Sequence, residues 1–387
     1  MIPSSSPSAA GAETVPDIAL KDQAALVLAA LIGEYSLLIM PFILVAMMDS
    51  FGITERHAGA LVSLQLLTMA IASIIVSTRL RPNQSVRPLL ALAVLAIAAA
   101  NTLCALIPST LVLAAARALT GLGEGAIMAA AGAAVAATAH PHRLYSSIGT
   151  AVAVVASIAL VATPWLTEHA GPAGLFWLLA AVPLLLLPLV TRIPRLGQRA
   201  VHAQSSVPRG TRRPGVELLL AFLLLWCGAS GLWVYAERIG AHQGLSPTQI
   251  GLWLSIGQLA GIPGPLAAAW GEPKIGLRAC LLAGCLGMAV AAVLFVFGGG
   301  AWPYGAGGCL ASFSIMFVVP CFRTRMAQID HSGRTVAASA AFYTVGFGIA
   351  PLVVASIIGN GRSYAPIGIF CVLCFLAGAA LAGLRRG

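Results

Sequence analysis

Three side chains place charge where the chain offers little else polar: Glu34, Arg117 and Glu124. Two of them belong to the stretch Arg117-Ala-Leu-Thr-Gly121-Leu-Gly123-Glu124-Gly125, which lies inside an apolar run from about Leu111 to Ala137. A run of that length crosses a bilayer. An ionised group at such depth costs about 2.5–3.5 kcal/mol on insertion scales, so it faces a bundle interior or a wet cavity. Seven positions are close to two helical turns, which puts Arg117 and Glu124 on one face about 10 Å apart along the axis. Gly121, Gly123 and Gly125 let a neighbouring helix approach closely. The Gly-x-Gly-x-Gly pattern is not a phosphate loop, because no strand precedes it and the helix has lipid length. Glu124 then has two readings, a structural partner for a cation or a group that takes part in transport.

Glu34 lies about ten residues into the first apolar run, near mid-membrane at 1.5 Å per residue. A desolvated carboxylate can carry a proton, and a nearby arginine opposes that. A Glu34–Arg117 pair that only holds helices together is the other reading. A later run holds Trp226, Trp233, Tyr235, Glu237 and Arg238. Trp233 and Tyr235 suit an interfacial belt. Glu237 and Arg238 are adjacent and cannot share a helix face; gate contacts and snorkelling both remain open for them. His57, His169 and His242 have no metal-site spacing, and neither His-x-x-x-His nor a Walker motif occurs. No enzyme, metal or cofactor is expected.

The setting follows from composition. Of 387 residues, 59% are hydrophobic and 9% charged, and the mean hydropathy is +0.93. Soluble domains run near a quarter charged, so this is a polytopic membrane protein. The net charge of +10 does not indicate nucleic acid, because the basic residues gather in short gaps between apolar runs, where a topology signal lies. Most of the eight cysteines sit within apolar runs and read as small packing residues, Cys371 and Cys374 included. Met1–Pro16 is rich in Ser, Ala, Gly and Pro and reads as disordered. It has no signal-peptide pattern.

Hydropathy and breakers give about twelve spans, near 24–48, 55–77, 88–107, 111–137, 145–166, 172–191, 216–240, 247–270, 276–297, 302–325, 335–358 and 363–384. Lys21, Arg79, Arg81, Arg87, Arg143, Lys274, Arg278, Arg323, Arg325, Arg334, Arg385, Arg386 and the six arginines of the central linker fall on one side; Arg56 and Arg362 fall on the other. The crowded side is cytoplasmic by the positive-inside rule, and with it both termini. The expected organisation is a disordered N-terminus (1–23), a six-helix bundle (24–191), a basic cytoplasmic linker (192–214), a second six-helix bundle (215–384) and a short cytoplasmic end (385–387).

The halves repeat. Gly52, Thr54, Gly59 and Ser63 recur as Gly244, Ser246, Gly251 and Ser255, each 192 positions on. Thr54 and Ser246 are predicted helix caps, and Ser246-Pro-Thr-Gln249 has capping-box form. His140 and Arg143 recur as His331 and Arg334. Repeats in one orientation imply a twofold pseudo-axis along the membrane normal.

With six spans, a basic linker, six more spans and Arg117, Gly121 and Gly123 in span four, the chain resembles the major facilitator superfamily. The openings of spans two and eight and Gly171-Pro-Ala-Gly-Leu-Phe176-Trp177 are similar to the family as well. Two departures stand out. The loop Ser77–Arg87 lacks the family's aspartate, and span five lacks the glycine-proline signature of drug antiporters. The resemblance implies an all-α protein of two pseudo-symmetric six-helix bundles, working as a secondary transporter of a small organic solute by alternating access around a central cavity. Proton coupling through Glu34, Arg117 and Glu124 is the expected mechanism. An efflux antiporter for amphipathic compounds, a facilitative uniporter and a membrane-embedded solute receptor are the alternatives. Tyr35, Phe342 and Tyr343 lie in cavity-type spans by this resemblance, and together with Trp226, Trp233, Glu237 and Arg238 of span seven they are candidate cavity or gate residues. Lipid packing is the other reading of the aromatics. The implied setting is a bacterial inner membrane, with the protein acting as a monomer in contact with solute, protons and lipid.

Overall fold

The computed structural model describes residues 20–81, 84–138, 140–193, 215–330, 334–358 and 363–383. Met1–Pro16, most of the linker, His331, Arg362, Arg385 and Arg386 lie outside them. All regular structure among the described residues is α-helical. Span one consists of Leu20–Leu38 and Met40–Phe51; spans two, three and four are Glu55–Arg79, Arg87–Leu106 and Thr110–Ala136. Pro141–Val190 runs for 50 residues and is broken at Gly171 (φ 70°, ψ 174°), so it supplies spans five and six. Span seven is Val216–Val234 followed by the short helix Ala236–His242. Span eight is Pro247–Ala260 with Gly264–Ile275, and spans nine to twelve are Leu277–Phe297, Ala301–Ile329, Arg334–Ile357 and Ala365–Gly383. Nine of these helices are long and apolar enough to span a membrane, and the two bent pairs raise that to eleven. The break at Gly171 makes two of one, which reaches the twelve read from the sequence.

Spans one and eight bend by 54° and 41° at their breaks. Pro41, Pro263 and Pro265 sit at those breaks. Pro320 and Pro351 remain inside continuous helices. The reason is visible at Pro351. A proline lacks the N–H that would bond the carbonyl four residues back, and the freed Phe347 carbonyl is taken by the Ser230 hydroxyl at 2.7 Å. Neighbouring side chains commonly satisfy such carbonyls in membrane helices. At Pro41 the freed carbonyl belongs to Leu37, and the Trp233 indole N–H donates to it at 2.8 Å.

The repeated openings adopt the same local structure. Gly52 (φ 63°) and Gly244 (φ 84°) both take the left-handed conformation that ends a helix. Thr54 accepts from the His57 N–H, and Ser246 forms the predicted capping box with Gln249. We call this side of the bundle the turn end and the opposite side, which carries Ile193 and Gly215, the linker end. The later repeat positions lie where the two sets of spans meet. Span two packs against span eleven and span five against span eight. A side chain at Gly59 would strike the Tyr235 hydroxyl, and one at Gly251 the Leu160 carbonyl.

Candidate functional site

The charged wall of span four is built by close helix approach. A Cβ on Gly121 would lie 2.1 Å from the Gln65 carbonyl, one on Gly125 2.1 Å from the Met69 carbonyl, and one on Gly123 2.7 Å from Ile97. Spans two and three therefore press against span four, and that brings Gln65 and Asn101 to the arginine. Arg117 is 0% exposed. Its Nη2 donates to Asn101 Oδ1 at 2.5 Å and, weakly, to Cys104 Sγ at 3.8 Å; Nη1 reaches Gln65 Oε1 at 3.4 Å. The guanidinium carbon stands 5.5 Å from the Phe176 ring centroid. Its Nε has no partner, nor has the hydroxyl of Thr120.

Glu124 is 2% exposed. It does not pair directly with Arg117. Gln65 lies between them, facing the arginine with Oε1 and donating from Nε2 to Glu124 Oε2 at 3.0 Å and to Ser36 Oγ at 2.7 Å. The result is a closed polar chain from span three through spans four and two to span one, enclosed by the first half of the protein. Glu34 is not part of it, so the Glu34–Arg117 pair read from the sequence is absent. Gln65, Asn101 and Ser36 were missed in the sequence. The available signal was an amide within a lipid-length apolar run, a group that must find partners inside the protein.

A second cluster joins the halves at the turn end. Arg238 Nε donates to Glu55 Oε1 at 2.5 Å, and the Tyr364 hydroxyl bonds the same oxygen. Tyr235 donates to the Pro351 carbonyl, and Ser63 Oγ accepts the Leu352 N–H at 2.8 Å. Ser157 Oγ bonds the Ser255 carbonyl. Two corrections follow. Trp233 and Tyr235 are not a lipid belt: the first spans the two halves, and the second is 0% exposed. Span seven also does not run straight through residue 240. It breaks at Tyr235, and the short helix that follows turns Arg238 to Glu55 while Glu237, 6% exposed, is buried with Oε2 unpaired. Glu55 escaped notice because an acid in the first turn of a helix already has a local reason to be there.

Toward the linker end the seam carries partly exposed groups. Glu34 is partly exposed. Arg323 is exposed near the linker end of span ten. Trp226 packs edge-on against Tyr343 at 4.4 Å and Phe347 at 6.0 Å between centroids, and its indole N–H has no partner. Phe342 is partly buried, while Tyr35, at 9% exposed, is buried next to Glu34. Among the described residues no group of three His, Cys, Asp or Glu is placed to hold a metal ion.

A multi-helix membrane protein whose two sets of spans meet along one seam is the architecture of a transporter. The sequence profile of the Major Facilitator Superfamily matches residues 24–329, and the chain belongs to that family. It is therefore an integral multi-pass transporter rather than an enzyme. Solved structures agree on the fold. The inward-open conformation of the xylose transporter XylE from E. coli matches at a TM-score of 0.70 with 15% identity, covering 92% of this chain and 94% of that one. A partially occluded inward-open conformation of the same transporter matches at 0.67 with 16% identity, over 92% and 96% of the chains. A D-xylose-proton symporter matches at 0.66 with 17% identity, over 92% and 96%. No curated protein sequence matches the chain.

Proposed function

We propose that the protein moves a small organic solute by alternating access between two parallel six-helix bundles (24–191 and 215–384), coupled to protons through Glu34. The observation that carries this reading is Glu34 itself, a carboxylate within span one that is partly exposed where Arg117 and Glu124 are enclosed. An anion there obstructs closure of the seam around it, and a bound proton removes that cost, which lets protonation license one conformational step. Glu124 and Arg117 support the step from within. Both are held by Gln65, so a shift of span one at Ser36 is felt along the chain Ser36–Gln65–Arg117.

The linker end is cytoplasmic, on the asymmetry of Lys and Arg. The hydrogen bonds across the seam then close the outer side, and the Glu34 side opens inward. The protein acts as a monomer in a bacterial inner membrane.

Uptake into proteoliposomes tests the proposal, with organic acids, sugars and amphipathic cations offered with and without a pH gradient. A solute whose accumulation follows the gradient in wild type, and loses that dependence in Glu34→Gln, is the expected result. Gradient-driven accumulation untouched by Glu34→Gln removes Glu34 from coupling. Equilibration with no response to the gradient makes the protein a uniporter.

A further inference from the structure

We infer that the protein binds the phosphate of an anionic membrane lipid at the turn end, in a cavity between the start of span two and the last turns of span eleven. On the orientation proposed above, the lipid belongs to the outer leaflet. The binding does not depend on which solute is moved.

The cavity follows from how the two helices meet. Along their contact they touch at small residues. A Cβ on Gly59 would lie 2.9 Å from the Ala355 Cβ and 3.0 Å from the Pro351 carbonyl, and Ser63 Oγ accepts the Leu352 N–H at 2.8 Å. Beside that contact Arg56 and Ala60 are one helical turn apart on span two, as are Leu352 and Ser356 on span eleven. The short Ala60 side chain leaves the space between these pairs unfilled. A cavity of about 280 Å³ results, lined by Arg56, His57 and Ala60 from one half and by Leu352, Val353 and Ser356 from the other. A water takes about 30 Å³ of the liquid, so the space suits a headgroup rather than a single ion. Thr54 caps span two and Ile357 ends span eleven, so the cavity lies within two turns of both helix ends. That is the level of the headgroups, just outside the hydrocarbon core.

The lining is amphipathic. On its apolar side Leu352 is 47% exposed on a span of lipid length, where acyl chains lie against it. On its polar side Arg56 offers a planar fork that matches two phosphate oxygens. Among the described residues Arg56 has no ion pair or hydrogen bond. The Thr54 hydroxyl holds His57 Nδ1 at 2.9 Å, which leaves Nε2 as the ring nitrogen for a ligand. Among the described residues no carboxylate lines the cavity. Glu55, next to Arg56 in the chain, is engaged by Arg238 and Tyr364 instead. A free anion would use the arginine but not the aliphatic wall, and a lipid uses both. A lipid seated on both halves also favours the closed turn end, because a ligand that prefers one state shifts the population toward it.

Native mass spectrometry of the full-length protein in detergent tests this, with dioleoylphosphatidylglycerol titrated as the probe. Dioleoylglycerol has the same chains without the phosphate, and inorganic phosphate has the charge without the chains. Wild type should show a saturable phosphatidylglycerol site that neither competitor empties. Arg56→Gln should weaken it by about fivefold, the effect of one arginine near an anionic surface. Arg56→Lys keeps the charge and should keep most of the affinity, which separates a lost contact from a misfolded variant. Ser356→Trp, at an exposed position, fills the cavity with both basic side chains still present and should weaken binding as well. The inference is overturned if either Arg56→Gln or Ser356→Trp binds phosphatidylglycerol as wild type does, or if dioleoylglycerol binds equally well. Displacement by inorganic phosphate also overturns it, by making the cavity a free-anion site.

Discussion

Glu55 and Arg238, 183 residues apart in the chain, meet across the seam at 2.5 Å, and Tyr364 bonds the same carboxylate oxygen. One acid thus ties the start of span two to the end of span seven and the start of span twelve. The Glu55 side chain is 9% exposed and that of Arg238 33%. Partial exposure screens the pair, so its coupling is expected near 1 kcal/mol in a double-mutant cycle. Glu55→Gln should increase the labelling of cysteines placed at the turn end of the seam. The swap Glu55→Arg with Arg238→Glu should bring labelling back toward wild type. Unchanged labelling in Glu55→Gln would mean that the pair does not hold the turn end closed.

The glycines of span four lead to a graded stability series. Gly121→Ala and Gly125→Ala put a methyl group about 2.1 Å from backbone carbonyls of span two, so the helices must part. Overpacking of that kind costs about 1–3 kcal/mol. Gly132 lies on the same span with nothing within 4 Å, and Gly132→Ala should be neutral or slightly stabilising. Thermal unfolding in detergent distinguishes them, and equal midpoints for all three variants would contradict the close packing.

Arg117 presents a separate question. It has no exposed surface, so its first expected effect is on stability. Arg117→Ala leaves Glu124 without its nearby cation, and breaking a buried charge set costs about 3–5 kcal/mol. Arg117→Met combined with Glu124→Gln removes both charges and should recover much of that. Arg117→Lys keeps the charge but loses the fork that reaches Asn101 and Gln65 together. If Arg117→Lys and Arg117→Ala both fold and transport normally, the residue has no part in the cycle.

Glu34→Gln mimics the protonated acid. It should abolish accumulation against a gradient while preserving exchange of substrate across the membrane. Glu124→Gln acts on an enclosed group held by Gln65 and should lower stability before it alters coupling. Counterflow assays at several pH values separate the two, and pH-dependent accumulation persisting in both variants would exclude proton coupling through either glutamate.

What the sequence determined by itself rests on quantities that depend on local composition. Apolar runs of lipid length, prolines and the caps at Thr54 and Ser246 are set within a few turns, and the twelve spans and the family follow from them. Partner choice is not local. Arg117 was readable as a charge in need of company, but whether a glutamate or an amide would answer it depended on how closely spans two and three could approach three glycines. Glu55 looked like a first-turn acid until folding brought Arg238 and Tyr364 to it. The prolines show the same division. Each frees a carbonyl by covalent structure, at Leu37 and at Phe347, but Trp233 and Ser230 reach those carbonyls only through packing between spans. A polar group inside a membrane must be satisfied by protein, and the bilayer leaves it to the tertiary structure to decide which group does so.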